Sequence, residues 1–236
     1  MNLLFDVDDT LYEAKSSFDY ALKISFPKEK TLDFMSLYHK FREISDSCLV
    51  HLQQNSMTLE EMHDIRIRAC LLSAGIEMDA TKAREFQRIY QSEQEKMCLL
   101  PEMEAILKTY SSQKGVKLGI ITNGSAEHQM QKIARLDIER YVPIEHMFVS
   151  GTYGIAKPHT ELFKIVQNNL QLNPEKTYYI GDSYQNDVVG AKSVGWSAIW
   201  VNRMNRTIPE KSLYQPDYTI RNTGELAELV RTISIN

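Results

Sequence analysis

Apolar positions along the chain follow two rhythms. Leu3 to Val7 is an apolar run broken only by Asp6, which suits a strand buried on both faces of a parallel sheet better than a half-exposed one. From Ala14 to about Met97 the rhythm turns helical. A first helix around Phe18, Leu22 and Ile24 ends before Pro27, where the ring breaks the pattern. Leu32, Met35, Tyr38, Phe41, Ile44, Cys48, Leu49 and Leu52 then recur at spacings of three and four, marking one face of a long amphipathic helix. Thr58 and Glu61 form a capping box for a third helix that carries Leu59, Met62, Ile65, Cys70 and Leu72 and ends at Gly75,. A fourth, from about Asp79, turns Ala83, Phe86 and Tyr90 inward. With one glycine and almost no strand signal, this block reads as a helical bundle inserted after the first strand.

Beyond Pro101 strands and helices alternate. Strands are expected at Lys117–Thr122, His146–Ser150, Thr177–Ile180, Ala198–Val201 and Tyr218–Ile220, with helices near Glu102–Ser111, Ala126–Leu136, Thr160–Asn169 and Asn186–Val194 and another after Asn222. Together with Leu3–Val7 they predict a doubly wound α/β fold, a parallel sheet covered by helices on both sides. The expected division is an α/β domain at 1–13 and 98–236 and a helical domain at 14–97. The long connection Asn202–Pro216, with Arg203, Arg206 and Lys211, is the one candidate mobile loop and reads as a solvated basic surface.

Composition changes this picture little. A chain of 236 residues, 43% hydrophobic and 25% charged, has the makings of a globular protein of one large or two unequal domains. Its net charge of −4 provides no general field for nucleic acid, and no such partner is expected. No apolar run approaches the roughly 20 residues that span a bilayer, and Asp6 interrupts the N-terminus before a signal segment could build up. A cytoplasmic protein without a membrane partner is therefore expected. Cys48, Cys70 and Cys98, odd in number and without a CxxC pair, are expected to be buried reduced thiols. His39, His51 and His63, twelve residues apart, do not share a helical face at ligand distance, so no metal site is expected there.

The polar residues that interrupt the pattern gather at strand ends, where ligands bind in open α/β sheets. Asp6 and Asp8 end the first strand, and Asp8-Asp9-Thr10 offers the turn that would let both serve one ligand; the same residues could instead cap a helix. Thr122-Asn123-Gly124 ends another strand, with Ser125 at a helix start whose free amides attract anions. Lys157-Pro158 places a cation at a turn just before a proline-started helix. Gly181-Asp182 is followed by Asp187, two carboxylates flanking a turn. Together with Asp6 and the Asp8 carbonyl, these carboxylates offer the hard oxygen donors that Mg²⁺ prefers.

In this order the four segments resemble the motifs of the haloacid dehalogenase superfamily: DVDDT (Asp6, Asp8), IITNG (Thr122), the AKP lysine (Lys157) and GDSYQND (Asp182, Asp187). The helical block resembles the cap that this family inserts after its first motif, over a Rossmann-like core. The resemblance implies phosphoryl transfer through an aspartyl-phosphate. Asp6 would be the nucleophile and Asp8 the general acid and base; Asp6, the Asp8 carbonyl and Asp182 would hold Mg²⁺; Thr122, Asn123 and Lys157 would bind the phosphoryl group. Asp187 would orient Lys157 or a water on the metal. Asp9 stands where many members have glycine, a place where aspartate tolerates left-handed backbone. A small-molecule phosphomonoester substrate is implied, nucleoside 5′-monophosphates first, with Tyr12 and Phe18 as aromatic faces for a base. Sugar-phosphate or phosphoglycolate phosphatase and phosphomutase are the alternatives. Asp8 speaks against a dehalogenase, and the length and helical insert speak against a non-enzymatic receiver module. Nothing in the sequence bears on oligomeric state.

Overall fold

The computed structural model describes residues 1–27, 29, 32–54 and 56–235. Six strands form a sheet in the order β3-β2-β1-β4-β5-β6, with every neighbouring pair parallel. They are β1 (Asn2–Phe5), β2 (Lys117–Thr122), β3 (Met147–Val149), β4 (Thr177–Gly181), β5 (Ser197–Val201) and β6 (Tyr218–Ile220). Parallel neighbours need crossovers, and these carry α5 (Pro101–Ser111), α6 (Ala126–Arg135), α7 (Ser150–Tyr153), α8 (Thr160–Leu170) and α9 (Val189–Ser193), with α10 (Thr223–Ile235) closing the chain,. The fold is the doubly wound α/β arrangement expected, with helices α1 (Ala14–Ser25), α2 (Phe34–Gln53), α3 (Leu59–Leu72) and α4 (Ala80–Gln94) inserted between β1 and α5.

The central strand β1 positions the site. Leu3, Leu4 and Phe5 have no exposed surface, as a strand flanked on both edges and covered on both faces requires. Phe5 is in register with Ile120 of β2 and Ile180 of β4, so the residues after all three strands emerge side by side. The strand ends at Phe5 rather than at Val7, although the Asp6 amide still donates to Ile180 O at 2.9 Å. Val7 already belongs to the turn, where its carbonyl accepts from Thr10 and Leu11. The helix expected at Asn186–Val194 is a single wide π-turn, Tyr184–Val188, running into α9. Apolar packing around Phe163, Tyr179, Trp196 and Trp200 fills one part of the core.

By its internal contacts the chain divides into two compact units, Met1–Tyr12 with Cys98–Asn236, and Glu13–Met97. Within the second, Phe18 packs between Tyr38, Phe41 and Phe86 with ring centroids 4.8 to 5.8 Å apart. The Thr58–Glu61 capping box forms at the start of α3. Several inward faces differ from expectation. Met35 is exposed on the first turn of α2, and Leu59, Ile65 and Leu72 are exposed on α3, which instead buries Met62, Arg66, Ile67, Cys70 and Leu71. That buried stripe advances at helical period along one side of α3, leaving Ile65 a quarter-turn away and the two leucines at the ends. Cys48 and Cys70 are buried, but Cys98 is exposed in the connection between α4 and α5, contrary to the expectation of three buried thiols. No helix of the described residues is long and apolar enough to cross a membrane.

Candidate active site

The turn after β1 sends its two carboxylates to different partners. Asp6 is buried directly beyond the strand, and Thr10 Oγ1 donates to its Oδ2 at 3.4 Å. Asp9 takes the left-handed conformation, φ +58, which aspartate tolerates better than most side chains. Beyond the turn, the Asp8 carboxylate accepts from Lys132 Nζ at 2.7 and 3.0 Å, from Gln129 Nε2 at 3.1 Å and from the Tyr12 hydroxyl.

Lys157 joins the strand ends. Its Nζ donates to Asp6 Oδ1 at 2.7 Å, to Asp187 Oδ1 at 2.7 Å and to the Tyr179 hydroxyl at 2.9 Å. The Asn123 side chain fixes the loop, accepting from Lys157 N at 2.8 Å and donating to Lys157 O at 3.0 Å. Asn123, expected as a phosphate ligand, sets the backbone of the lysine through its side chain. Pro158 does not open the following helix, since α8 begins at Thr160; the lysine is held by this amide clamp and its ion pairs. At the end of β2, Thr122 is wholly buried and its hydroxyl has no hydrogen-bond partner among the described residues. Such an orphaned hydroxyl is uncommon in a folded interior.

In the π-turn that follows β4, Asp187 is 1% exposed and its Oδ2 accepts from Ser183 N at 2.8 Å. The carboxylate lies against Gly181, where a Cβ would fall 2.3 Å from Oδ2, so only glycine admits it,. Asp182 carries an ion pair with Arg206 at 2.9 Å, and its carbonyl accepts from Trp200 Nε1 at 2.8 Å. Asp6, Asp182 and Asp187 each bring a carboxylate oxygen within 4.8 Å of the others. Asp187, expected to act from behind the metal, stands in the same cluster as the two residues expected to hold it.

Burial pushes the Asp6 carboxyl up to about 7, the Asp187 and Asp8 charges adding to the rise and Lys157 opposing it. Burial also works against the Lys157 charge, but Asp187 and Asp6 outweigh it and hold the ammonium well above its ordinary value. Three buried carboxylates close together, with oxygen donors only, fit a hard divalent cation such as Mg²⁺, which would relieve the repulsion that raises Asp6.

Several contacts were not foreseen. Gln129 and Lys132 are buried polar residues on α6; the signal for them was a glutamine and a lysine three apart on the helix that follows the Thr122 strand. The 202–216 connection is not merely a solvated basic loop: Arg203 donates to Asp9 O and Thr10 O, and Arg206 pairs with Asp182. Asn202 holds that arginine in place through Arg206 N and O, both at 2.8 Å. Lys211 is exposed. Tyr12 is buried and its hydroxyl is engaged by Asp8, while Phe18 is enclosed by the aromatic rings of the helical unit. Neither ring offers a face for stacking on a base, contrary to expectation.

The chain matches the family of haloacid dehalogenase-like hydrolases over residues 3–201, and it belongs to that family. It is 27% identical to a glyceraldehyde 3-phosphate phosphatase of Methanocaldococcus jannaschii over 98% of this chain and 97% of that protein. Among solved structures it resembles the putative HAD-hydrolase YfnB of Bacillus subtilis bound to magnesium, at 26% identity and TM-score 0.69, with 97% of each chain covered. L-2-haloacid dehalogenase from Xanthobacter autotrophicus shares the fold, with TM-score 0.69, 20% identity and 98% of each chain covered.

Proposed function

We propose that the protein is a Mg²⁺-dependent phosphomonoesterase that hydrolyses a small phosphorylated metabolite, of the sugar-phosphate class, through an aspartyl-phosphate on Asp6. The observation that carries the reading is Lys157 Nζ at 2.7 Å from both Asp6, just beyond β1, and Asp187, in the π-turn after β4. A buried cation beside a buried carboxylate supports the reading of Asp6 as nucleophile, and the orphaned Thr122 hydroxyl at the end of β2 supports a phosphoryl ligand there.

An Asp6 carboxylate oxygen forms the new bond to phosphorus as the bond to the ester oxygen breaks. Asp8 gives its proton to that leaving oxygen, then takes one from water as the water attacks phosphorus and the Asp6–phosphorus bond breaks, releasing inorganic phosphate. Lys157 and the Thr122 hydroxyl bind the phosphoryl oxygens, whose negative charge the buried ammonium balances,. Asp187 keeps Lys157 in place. Asp6 and Asp182, with the Asp8 carbonyl and with Asp187 beside them, would hold Mg²⁺, which supplies charge neutralisation to the phosphoryl group.

The relative named for glyceraldehyde 3-phosphate, similar over nearly the whole of both chains, favours a sugar phosphate over the nucleoside monophosphate expected from the sequence. With Tyr12 and Phe18 both enclosed, the stacking argument for a nucleotide is gone. The test is a panel of triose, pentose and hexose phosphates, phosphoglycolate, phosphoserine and nucleoside 5′-monophosphates, read by phosphate release at fixed Mg²⁺. Turnover led by triose or other sugar phosphates, lost in EDTA, is expected. Turnover led by nucleotides would reverse the substrate assignment, and turnover that survives EDTA would remove the metal from the reading.

A further inference from the structure

The contacts around Asp8 form an arrangement that phosphoryl binding does not call for. Lys132 and Gln129 project from one face of α6, three residues apart, and are 5% and 2% exposed. Lys132 Nζ bridges both oxygens of Asp8 at 2.7 and 3.0 Å, Gln129 Nε2 donates to Oδ2 at 3.1 Å and Tyr12 donates to Oδ1. The same Gln129 nitrogen donates to Asn123 O at 2.6 Å, and the Asn123 side chain in turn clamps the backbone of Lys157. One helix face therefore connects the carboxylate after β1 with the loop that sets the phosphate-binding lysine.

We propose that Lys132, supported by Gln129, is a positioning residue for phosphoryl transfer, fixing the Asp8 carboxylate and acting through it rather than on the substrate. The inference rests on the phosphomonoesterase reading above. Lys132, Gln129 and Tyr12 all donate to Asp8, the arrangement of an ionised carboxylate,, and this is the form that takes a proton from the attacking water; that proton stays on Asp8 and is the one given to the leaving oxygen of the next substrate. Lys132, the cation among these donors, fixes the carboxylate for both transfers. The proton given to the leaving oxygen and the proton taken from water are both carried by Asp8, and Lys132 keeps its own. A buried ion pair that served stability alone could be replaced by apolar groups at little cost; a positioning pair could not be replaced without losing rate.

The experiment is a double-mutant cycle on the Mg²⁺-loaded enzyme, with kcat and KM measured for p-nitrophenyl phosphate and for an alkyl phosphate. The proteins are wild type, Lys132→Met, Lys132→Arg, Asp8→Asn and Asp8→Asn/Lys132→Met, each checked for folding by circular dichroism and thermal unfolding. Lys132→Met is expected to lower kcat on the order of 10- to 100-fold, the usual cost of losing a group that orients a reacting residue, with KM unchanged. Lys132→Arg should fall between it and wild type. In the Asp8→Asn background the lysine substitution should cost nothing further. An unchanged kcat in Lys132→Met, an effect on KM alone, or a further loss in the double variant equal to that in wild type would each overturn the inference. Should Lys132→Met fail to fold, the comparison of Asp8→Asn with the double variant, in which neither charge remains buried, decides in the same way. A wild-type protein inactive on every phosphomonoester would refute the parent reading instead.

Discussion

Each of the two units of the chain buries a cation, and the two are held by opposite means. In the α/β unit, Lys157 lies between the carboxylates of Asp6 and Asp187. In the helical unit, Arg66 is 8% exposed with its guanidinium 4.1 Å from the centre of the Phe41 ring and 5.7 Å from that of Tyr90. Gln87 Oε1 at 2.9 Å and Ser45 Oγ at 3.4 Å accept from it, and no carboxylate pairs with it among the described residues. Burial lowers Arg66 to about 10, with Tyr90 opposing, whereas Lys157 is driven upward by its carboxylates. Ring faces and neutral amides stabilise a cation without creating a need for further charge. Clustered carboxylates leave negative charge that a metal or a protonated group must balance. The charge that calls for a ligand therefore lies beyond the ends of β1 and β4, and the buried cation of the helical unit is satisfied by packing.

The contrast can be broken in several ways. Replacing Asp6 with Asn should cost at least ~10³-fold in phosphatase kcat, because a covalent nucleophile has no substitute, while the protein stays folded by circular dichroism. Lys157→Met leaves Asp6 and Asp187 buried against each other and should destabilise the metal-free protein by about 3–5 kcal/mol in urea unfolding. Added Mg²⁺ should recover part of that loss, and a loss unaffected by Mg²⁺ would count against the shared carboxylate site. Arg66→Met keeps the volume and removes the ring contact, so about 1–2 kcal/mol of stability should go with it, with kcat unchanged. A large fall in kcat without a fall in stability would place Arg66 in the chemistry and erase the contrast.

The pH dependence sharpens the same point. In the metal-free fold the Asp6 carboxyl is raised to about 7 from an ordinary 3.8, so between those values the folded protein binds more protons than the unfolded chain. This contribution to stability is present at acid pH and is lost as the pH rises through 7. Metal-free wild type should therefore lose stability relative to Asp6→Asn between pH 5 and pH 8, and saturating Mg²⁺ should flatten the difference. Parallel stability curves for the two metal-free proteins would show that Asp6 is not held in its protonated form by its surroundings.

What the sequence disclosed follows from local rules. The apolar run at Leu3–Phe5, the Thr58–Glu61 capping box and the polar strand ends at Asp6, Thr122, Lys157 and Asp182 each declare themselves within a few residues. What stayed hidden depends on contacts between residues far apart in the chain. Lys132 meets Asp8 across 124 positions and Arg206 meets Asp182 across 24, and a lysine on an amphipathic helix or an arginine in a loop looks the same in sequence whether solvated or paired. Tyr12 and Phe18 were misread for a related reason, since an aromatic residue near a site is equally at home in the core, and the direction of its ring is settled only by its neighbours. The face of α3 was ambiguous because apolar residues occur all around it.

The central claim is that Asp6 carries the phosphoryl group. The most direct measurement is acid-quench mass spectrometry of Asp8→Asn enzyme mixed with Mg²⁺ and p-nitrophenyl phosphate, a substrate whose leaving group needs little protonation. With attack by water slowed, a phosphorylated species should accumulate within the first turnover, and fragmentation should place the phosphoryl group on Asp6. The adduct should be absent when Asp6 is also replaced by Asn. Release of phosphate by a folded Asp6→Asn protein at the wild-type rate, or a phosphoryl group found on another residue, would contradict the account.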